Sequence, residues 1–169
     1  DGHCDTVHLF ADSRHYNFAH RNGKGQVDLP RLKQGGVNLQ FFALFIEPEY
    51  KPYHSLQRSL QLMEHFLRVM GKNKEHVAII RTRSDLETAA ANKHEKLAAV
   101  IALEGGEPLE GGMEMLHILH RLGLRSVGLT WNQRNNLADG VGVGSAAGGL
   151  TKLGRKMVRE MNRLGMVAD

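Results

Sequence analysis

The sequence contains a single cysteine, a single tryptophan and only four prolines among its 169 residues. One thiol, Cys4, excludes an intramolecular disulfide bond and is compatible with a reducing compartment, so we expect a cytoplasmic protein. Long hydrophobic runs are also absent, because the apolar stretch LAAVIAL at 97–103 is far shorter than the roughly 18 to 20 residues that cross a bilayer. We therefore expect no membrane segment in this chain.

Neither sign of charge dominates. The 22 basic and 18 acidic side chains leave a net charge of +4, and most basic residues are dispersed, so we expect no nucleic-acid partner. One helix-spaced basic stripe is the exception, and because no aromatic residues are interleaved with it, we predict a solvated helix face rather than a phosphate-binding surface. The stripe consists of Lys152, Arg155, Lys156, Arg159 and Arg163.

The pattern of apolar residues predicts strands and helices in alternation. Such alternation indicates an α/β fold with parallel strands, either an open doubly wound sheet or a barrel. The chain is well short of the eight units and roughly 250 residues of a typical (β/α)8 barrel, so a barrel is only about half present. Strands are predicted at 35–46, 76–82, 96–106 and 125–131 and from 166 onward, helices at 52–71, 84–93, 109–122 and 151–165, and loops at 8–24 and 132–149.

The first residues, DGHCDTV, place a histidine and an aspartate two positions apart. In a strand, His3 and Asp5 project to the same side while Cys4 faces the other way. An imidazole nitrogen and a carboxylate oxygen are both good ligands for Zn²⁺. By itself the spacing is more often a hydrogen-bonded surface pair, so a metal site needs support from elsewhere in the chain.

Glu104 supplies part of that support. It ends an otherwise apolar strand, where burying a carboxylate is costly unless a cation or hydrogen-bond donors meet it. Barrel enzymes place their catalytic groups at these carboxyl ends of strands, and Gly105 and Gly106 allow close approach there. The alternative is a strand that has simply reached solvent.

Two other patterns are weaker candidates. His117 and His120 lie one helical turn apart, on the face opposite Met115, Leu119 and Leu122, so we predict solvated side chains rather than ligands. The glycine-rich stretch at 140–149 lacks the direct strand-to-helix context of a nucleotide-binding loop, and we interpret it as a flexible loop over a site.

Taken together and in this order, five segments resemble the membrane dipeptidase family, also called renal dipeptidase, and especially its bacterial members. The resemblance covers residues 1–169 and implies the N-terminal half of a (β/α)8 TIM-type barrel, as a single partial domain. It also implies a zinc metallopeptidase that hydrolyses dipeptides with a hydroxide bridging two zinc ions. The segments are DGHCDTV, LPRLKQGGVNLQFFALFI, VIALEGGEPL, LGLRSVGLTWNQRNNLADG and GGLTKLGRKMVREMNRLGMVAD.

The resemblance also assigns individual residues. His3 and Asp5 match the family's H-x-D metal ligands, and Glu104 matches the glutamate that bridges the two metals. Trp131 and Asn132 occupy a substrate-binding position where the vertebrate enzymes have a histidine after Leu-Thr. An indole can pack or donate one N–H but cannot accept a proton, so the substrate preference is open.

The family's remaining metal-binding histidines and its catalytic aspartate are expected beyond Asp169. We therefore expect these residues to be part of a longer enzyme, inactive alone, whose full-length form is a homodimer acting on small dipeptide substrates. Two alternatives remain open: a binuclear amidohydrolase acting on a cyclic amide or ester, and a non-catalytic half-barrel that serves as an interaction module.

Overall fold

A computed structural model describes residues 1–92, 95–109 and 112–169. After two initial helices, strands and helices alternate along these residues, as the apolar pattern predicts. The six helices of the described part are α1 (Val7–Asp12), α2 (Leu29–Gln34), α3 (Ser55–Lys72), α4 (Arg83–Ala91), α5 (Met113–Leu122) and α6 (Lys152–Arg163). The five strands there are β1 (Leu39–Phe45), β2 (Val77–Ile79), β3 (Leu97–Glu104), β4 (Leu124–Gly128) and β5 (Val167–Ala168).

The strands form a sheet in the order β1-β3-β4-β5, and β2 also pairs with β3. β2 runs parallel to β3 with Val77 opposite Leu97, and β4 runs parallel to β5 with Ser126 opposite Val167. The predicted α/β fold with parallel strands is confirmed. The chain forms two compact units, the first made of Asp1–Leu44 and Leu60–Ile101 and the second of Phe45–Ser59 and Ala102–Asp169.

Four phenylalanines pack together in the core of the first unit. Phe18 meets Phe10 and Phe42 edge to face, with ring centroids 5.5 and 6.0 Å apart, and Phe42 packs on Phe66 at 5.4 Å. Contacts of this kind add to the free energy of burying the rings. Because α1, β1 and α3 each contribute a ring, the cluster packs these three elements of the unit together.

In the second unit, α5 and α6 bury one face each. Leu116 and Leu119 are buried on α5, whereas Leu122, which we predicted on the same apolar face as Leu119, is 40% exposed. The buried face is thus centred on Leu116, which sequence analysis did not include. On α6, Met157 and Met161 are buried. The five basic side chains of the predicted stripe are all exposed, as expected of a solvated face.

Several boundaries differ from prediction. The predicted loop at 8–24 contains most of α1, a helix without a side-chain cap, and α2 was missed altogether. α4 begins at Arg83, one residue before the predicted start, and Thr82 and Asp85 form its capping box. The predicted end of that helix at Lys93 lies outside the described residues. No helix in the described part of the chain is long and apolar enough to cross a membrane.

Asp28 begins α2 and is fully buried. Its carboxylate accepts hydrogen bonds from the backbone N–H of Arg31 at 3.0 Å, from Arg31 Nε at 2.9 Å and from the backbone N–H of Asn22 at 2.9 Å. Burial alone raises the pKa of this carboxyl, but the hydrogen bonds from Arg31 and Asn22 outweigh it and lower the pKa to about 2. The ionised form therefore stabilises the folded first unit.

We expect Asp28→Asn to lower the free energy of unfolding by about 2 kcal/mol at pH 7, because a carboxyl pKa lowered from 3.8 to about 2 is worth roughly that much. A lowered folded pKa stabilises above the unfolded value, so this contribution is lost as the pH falls from about 4 towards 2. Urea unfolding measured at several pH values tests both statements. Glu75→Gln, at an exposed position, is the control, and equal acid sensitivity of the two variants contradicts the assignment.

Candidate functional site

The first residues of the chain lie beside β1 without forming a regular strand themselves. The backbone N–H of Phe41 donates to the carbonyl of Asp1 at 3.1 Å, and that of Ala43 donates to the carbonyl of Cys4 at 2.9 Å. The backbone nitrogen of Asp1 donates to the carbonyl of Leu39 at 2.8 Å. These hydrogen bonds hold the H-x-D segment alongside β1.

Within this segment, His3 and Asp5 lie on the same side. His3 Nε2 is 3.3 Å from Asp5 Oδ1, and the two side chains are 44% and 58% exposed. Two ligand atoms bound to one tetrahedral zinc ion at ordinary Zn–N and Zn–O distances lie about 3.3 to 3.5 Å apart. The spacing of the two atoms therefore fits joint coordination of a metal, and the exposure of both side chains leaves room for one.

Cys4, between these two residues, faces the opposite way and is buried, as predicted. Burial raises the pKa of its thiol to about 11, with the nearby Asp5 carboxylate contributing in the same direction. The thiolate is the form of cysteine that binds metal. Cys4 is therefore a packing residue.

Glu104 ends β3 in the second unit and is half-buried. The next residue, Gly105, has a φ of +91°, a backbone conformation that side chains disfavour. The backbone N–H groups of Gly105 and Gly106 then donate to the carbonyls of Gly128 and Leu129, both at 3.0 Å. The turn after Glu104 is thus fastened to the end of β4. A metal shared between Glu104 and the His3–Asp5 pair stays a prediction.

Trp131 follows β4 in the same unit. Its indole meets the Phe45 ring edge to face at 4.8 Å, and Lys51 Nζ lies 5.9 Å from the indole centroid and 5.5 Å from the Phe45 centroid. The indole is 37% exposed. Asn132 is half-buried, and its carbonyl accepts a hydrogen bond from Gly142 at 2.8 Å. Contact of either side chain with substrate stays a prediction.

Two glycines in the stretch 140–149 lie where a larger residue would clash with the backbone. A β-carbon at Gly140 would lie 2.5 Å from the carbonyl oxygens of Trp131 and Gln133, and one at Gly142 would lie 2.7 Å from that of Asn132. Such contacts are far closer than ordinary van der Waals distances. Glycine at these two positions therefore lets this segment pack backbone to backbone against the segment that carries Trp131.

Asn135 holds the loop after β4 through its side-chain amide. Its Nδ2 donates to the carbonyl of Leu129 at 2.7 Å, and its Oδ1 accepts from the backbone N–H groups of Leu137 at 2.8 Å and Ala138 at 3.2 Å. One side chain thus fixes the path of the chain from 129 to 138. Beside it, Arg134 donates to the carboxylate of Asp139.

A buried ion pair that the sequence did not reveal lies beside this loop. Lys51 Nζ lies 3.2 Å from Glu107 Oε1, and the two side chains are only 9% and 8% exposed. Both line a pocket of about 550 Å³, a size usual for small-molecule sites. Pro48, Tyr53, Gln133 and Asn136 also contribute to its wall. The signal was weak, because a lysine in EYKPY and a glutamate in EGGEP have no recognisable spacing.

Two other histidines lie beside carboxylates of their own. His117, predicted to be solvated, is 38% exposed and also pairs with Glu160 through Nε2 and Oε1 at 2.6 Å. The pair joins α5 to α6, whose proximity the sequence did not reveal. His8 lies 3.9 Å from Asp12 on α1 through Nδ1 and Oδ2.

The sequence profile described as "Membrane dipeptidase (Peptidase family M19)" matches residues 1–169. The chain belongs to the membrane dipeptidase family. It is 28% identical to dipeptidase aclJ of Aspergillus oryzae over 182 residues and 29% identical to dipeptidase 3 of Rattus norvegicus over 178 residues, each match covering all of this chain. The family assignment confirms the resemblance, and its classification as a metallopeptidase implies dependence on a metal.

Solved structures agree with the family assignment. The dipeptidase AC, a metallopeptidase, is 28% identical with a TM-score of 0.87 over the whole of this chain. A metallopeptidase from Rhodobacter sphaeroides, solved with a phosphinate mimic of the dipeptide L-Ala-D-Ala, is 25% identical with a TM-score of 0.84 over 99% of it. These dipeptidases are of the TIM-barrel type, and this confirms the predicted fold class.

This chain spans only part of the length of these relatives. It covers 43% of the Aspergillus protein, 35% of the rat protein, and 54% and 56% of the two solved chains. The predicted coverage of about half a barrel agrees with the shares of the solved chains. The catalytic residues expected beyond Asp169 therefore stay a prediction.

Proposed function

We propose that the whole protein to which this chain belongs hydrolyses the peptide bond of dipeptides with two zinc ions. The observation that carries the proposal is the match to the dipeptidase family along all 169 residues, including the H-x-D segment. In this chain, His3, Asp5 and Glu104 are the proposed metal ligands. The full-length protein is proposed to act as a homodimer.

The side chains of His3, Asp5 and Glu104 are chemically suitable ligands for zinc. Imidazole nitrogen and carboxylate oxygen are ordinary zinc ligands, and the 3.3 Å between His3 Nε2 and Asp5 Oδ1 matches two corners of one coordination tetrahedron. A carboxylate such as Glu104 has two oxygens and can bridge two ions. When bound, a pair of zinc ions supplies an activated water and polarises the carbonyl that is cleaved.

Other residues of this chain are proposed to position the metal ligands and to contact the substrate. The hydrogen bonds from Phe41 and Ala43 keep the H-x-D segment against β1, so that His3 and Asp5 face the same way before any ligand arrives. Trp131 and Asn132 are proposed to contact the substrate. The proposal for Trp131 is supported by its indole, which is partly exposed and lies beside the Lys51 ammonium. Such an indole can pack against a substrate side chain but does not exchange protons with it.

The test is hydrolysis by the full-length, zinc-loaded protein of a panel of dipeptides, including L-Ala-D-Ala, because a mimic of that dipeptide is bound in the Rhodobacter structure. We expect cleavage of several members, its loss on chelation, and recovery on adding zinc back. A cyclic amide or ester cleaved faster than every dipeptide contradicts the proposal and favours an amidohydrolase. Absence of any hydrolysis at full zinc occupancy contradicts it as well.

A further inference from the structure

The Lys51–Glu107 pair has hydrogen-bonding capacity that the rest of the described chain does not fill. Although Nζ and Oε1 are 3.2 Å apart, the two groups are poorly aligned, and neither Lys51 Nζ nor Glu107 Oε2 makes a hydrogen bond within the described residues. Buried polar atoms are nearly always hydrogen-bonded, and leaving them unpaired is costly. An unfilled donor thus lies beside an unfilled acceptor in the wall of a pocket.

The position of the ammonium is fixed by its surroundings. Lys51 Nζ lies 5.5 Å from the Phe45 ring centroid and 5.9 Å from that of Trp131, within the range of cation–π attraction. These rings hold the charged end of a side chain that is otherwise flexible. Because Glu107 balances the charge, the pair presents no net charge to the pocket.

A ligand that completes both hydrogen bonds needs an acceptor next to a donor and no net charge. A primary carboxamide meets both conditions, because its oxygen can accept from Lys51 Nζ while its NH₂ group donates to Glu107 Oε2. A carboxylate meets only one condition, since its second oxygen faces the Glu107 carboxylate. An apolar side chain meets neither and leaves both buried atoms unpaired.

We infer that Lys51 and Glu107 are a specificity-determining pair that binds the side-chain carboxamide of an asparagine or glutamine residue in the dipeptide substrate. The inference rests on the proposed dipeptidase function. The pocket of about 550 Å³ is large enough for such a side chain, and Glu107 is only three residues from Glu104, the proposed metal ligand.

The test compares kcat/KM of the full-length, zinc-loaded protein for three near-isosteric sets of dipeptides. The sets pair alanine with glutamine, glutamate or methionine, with the variable residue first or second. We expect the better glutamine dipeptide to exceed its glutamate and methionine counterparts by at least about tenfold, because sites built to hydrogen-bond a group reject analogues that lack it. Equal rates for the three side chains in both positions contradict the inference.

Two variants separate the two members of the pair. Lys51→Met is expected to remove the preference for glutamine over methionine, whereas Glu107→Gln is expected to raise the glutamate-to-glutamine ratio at least about tenfold by removing a buried like charge. The double variant Lys51→Met/Glu107→Gln removes both charges, so neither residue is left as an uncompensated buried charge. It replaces a single variant if that variant fails to fold. Lys152→Met, at an exposed position, is the control and leaves all ratios unchanged.

Binding measurements keep this inference separate from the proposed function. Calorimetric titration of the full-length protein with Ala-Gln, Gln-Ala and the matching glutamate dipeptides reports the preference if no hydrolysis occurs, and kcat/KM reports it if hydrolysis does occur. Tighter binding of a glutamine dipeptide without hydrolysis supports the pair and contradicts the dipeptidase proposal. Hydrolysis of dipeptides with ratios that Lys51→Met and Glu107→Gln leave unchanged contradicts the pair and supports the dipeptidase proposal.

Discussion

Replacing His3 by alanine is expected to lower kcat/KM for dipeptides by about 10³-fold or more in the full-length protein, because activation by a metal is worth several kcal/mol in the transition state. The zinc content is expected to fall below the roughly two ions of a binuclear centre. The physical reason is the 3.3 Å pairing of His3 Nε2 with Asp5 Oδ1, since the remaining carboxylate alone is a poorer site. Metal analysis of the purified variant and steady-state kinetics test both statements.

His76→Ala is the matched control, because this histidine is exposed just before β2. It is expected to keep both the zinc and the activity. Unchanged zinc content in His3→Ala shows that the H-x-D segment is a surface pair and not a ligand pair. Loss of zinc with full retention of activity shows that the metal at His3 has no part in the reaction.

The second large effect concerns Gly154 on α6. This glycine is buried, and a β-carbon there would overlap the carbonyl oxygen of Leu137 and lie 2.9 Å from the Leu137 carbonyl carbon. Because both atoms are backbone, neither can move aside cheaply. We expect Gly154→Ala to lower the free energy of unfolding by about 3 kcal/mol, the upper end for overpacking a core. Calorimetric unfolding of the full-length protein measures this loss.

Gly71→Ala is the comparison, because Gly71 also lies in a helix but has nothing within 4 Å of the position that a β-carbon would take. Alanine is the better helix former, so this variant is expected to gain up to about 1 kcal/mol. A Gly154→Ala variant as stable as Gly71→Ala contradicts the close packing of α6 on the loop after β4.

The sequence predicted those helices and strands whose apolar pattern or end signals lie within the element itself. The apolar run that ends in Glu104 predicted β3. The helix predicted at 151–165 corresponds to α6, where the Thr151 hydroxyl accepts from the backbone N–H of Gly154 at 2.9 Å. α1 was missed because six residues without a side-chain cap are too few for a helical period to emerge. α2 was missed although its Asp28 cap and early proline are both readable signals.

The candidate site was predictable only where its chemistry lies in one short segment or in a motif of the family. His3 and Asp5 are two residues apart, so a strand-like period put them on one side. The pairing of Lys51 with Glu107, and that of His117 with Glu160 across 43 positions, depends on how distant elements pack. A sequence carries no direct signal for such contacts, since each residue is an ordinary surface type on its own.

The turn from Glu104 to Glu107 has a practical consequence for redesign. Its backbone is tied to Gly128 and Leu129, and a β-carbon at Gly106 would lie 2.5 Å from Leu137 Cδ1, so any larger residue there requires the Leu137 side chain to shift. The spacing between the two glutamates is therefore set by main-chain atoms. A combinatorial library can therefore vary Lys51 and Glu107 to select for new substrate preferences. Keeping Gly105 and Gly106 in that library preserves the backbone position of Glu104.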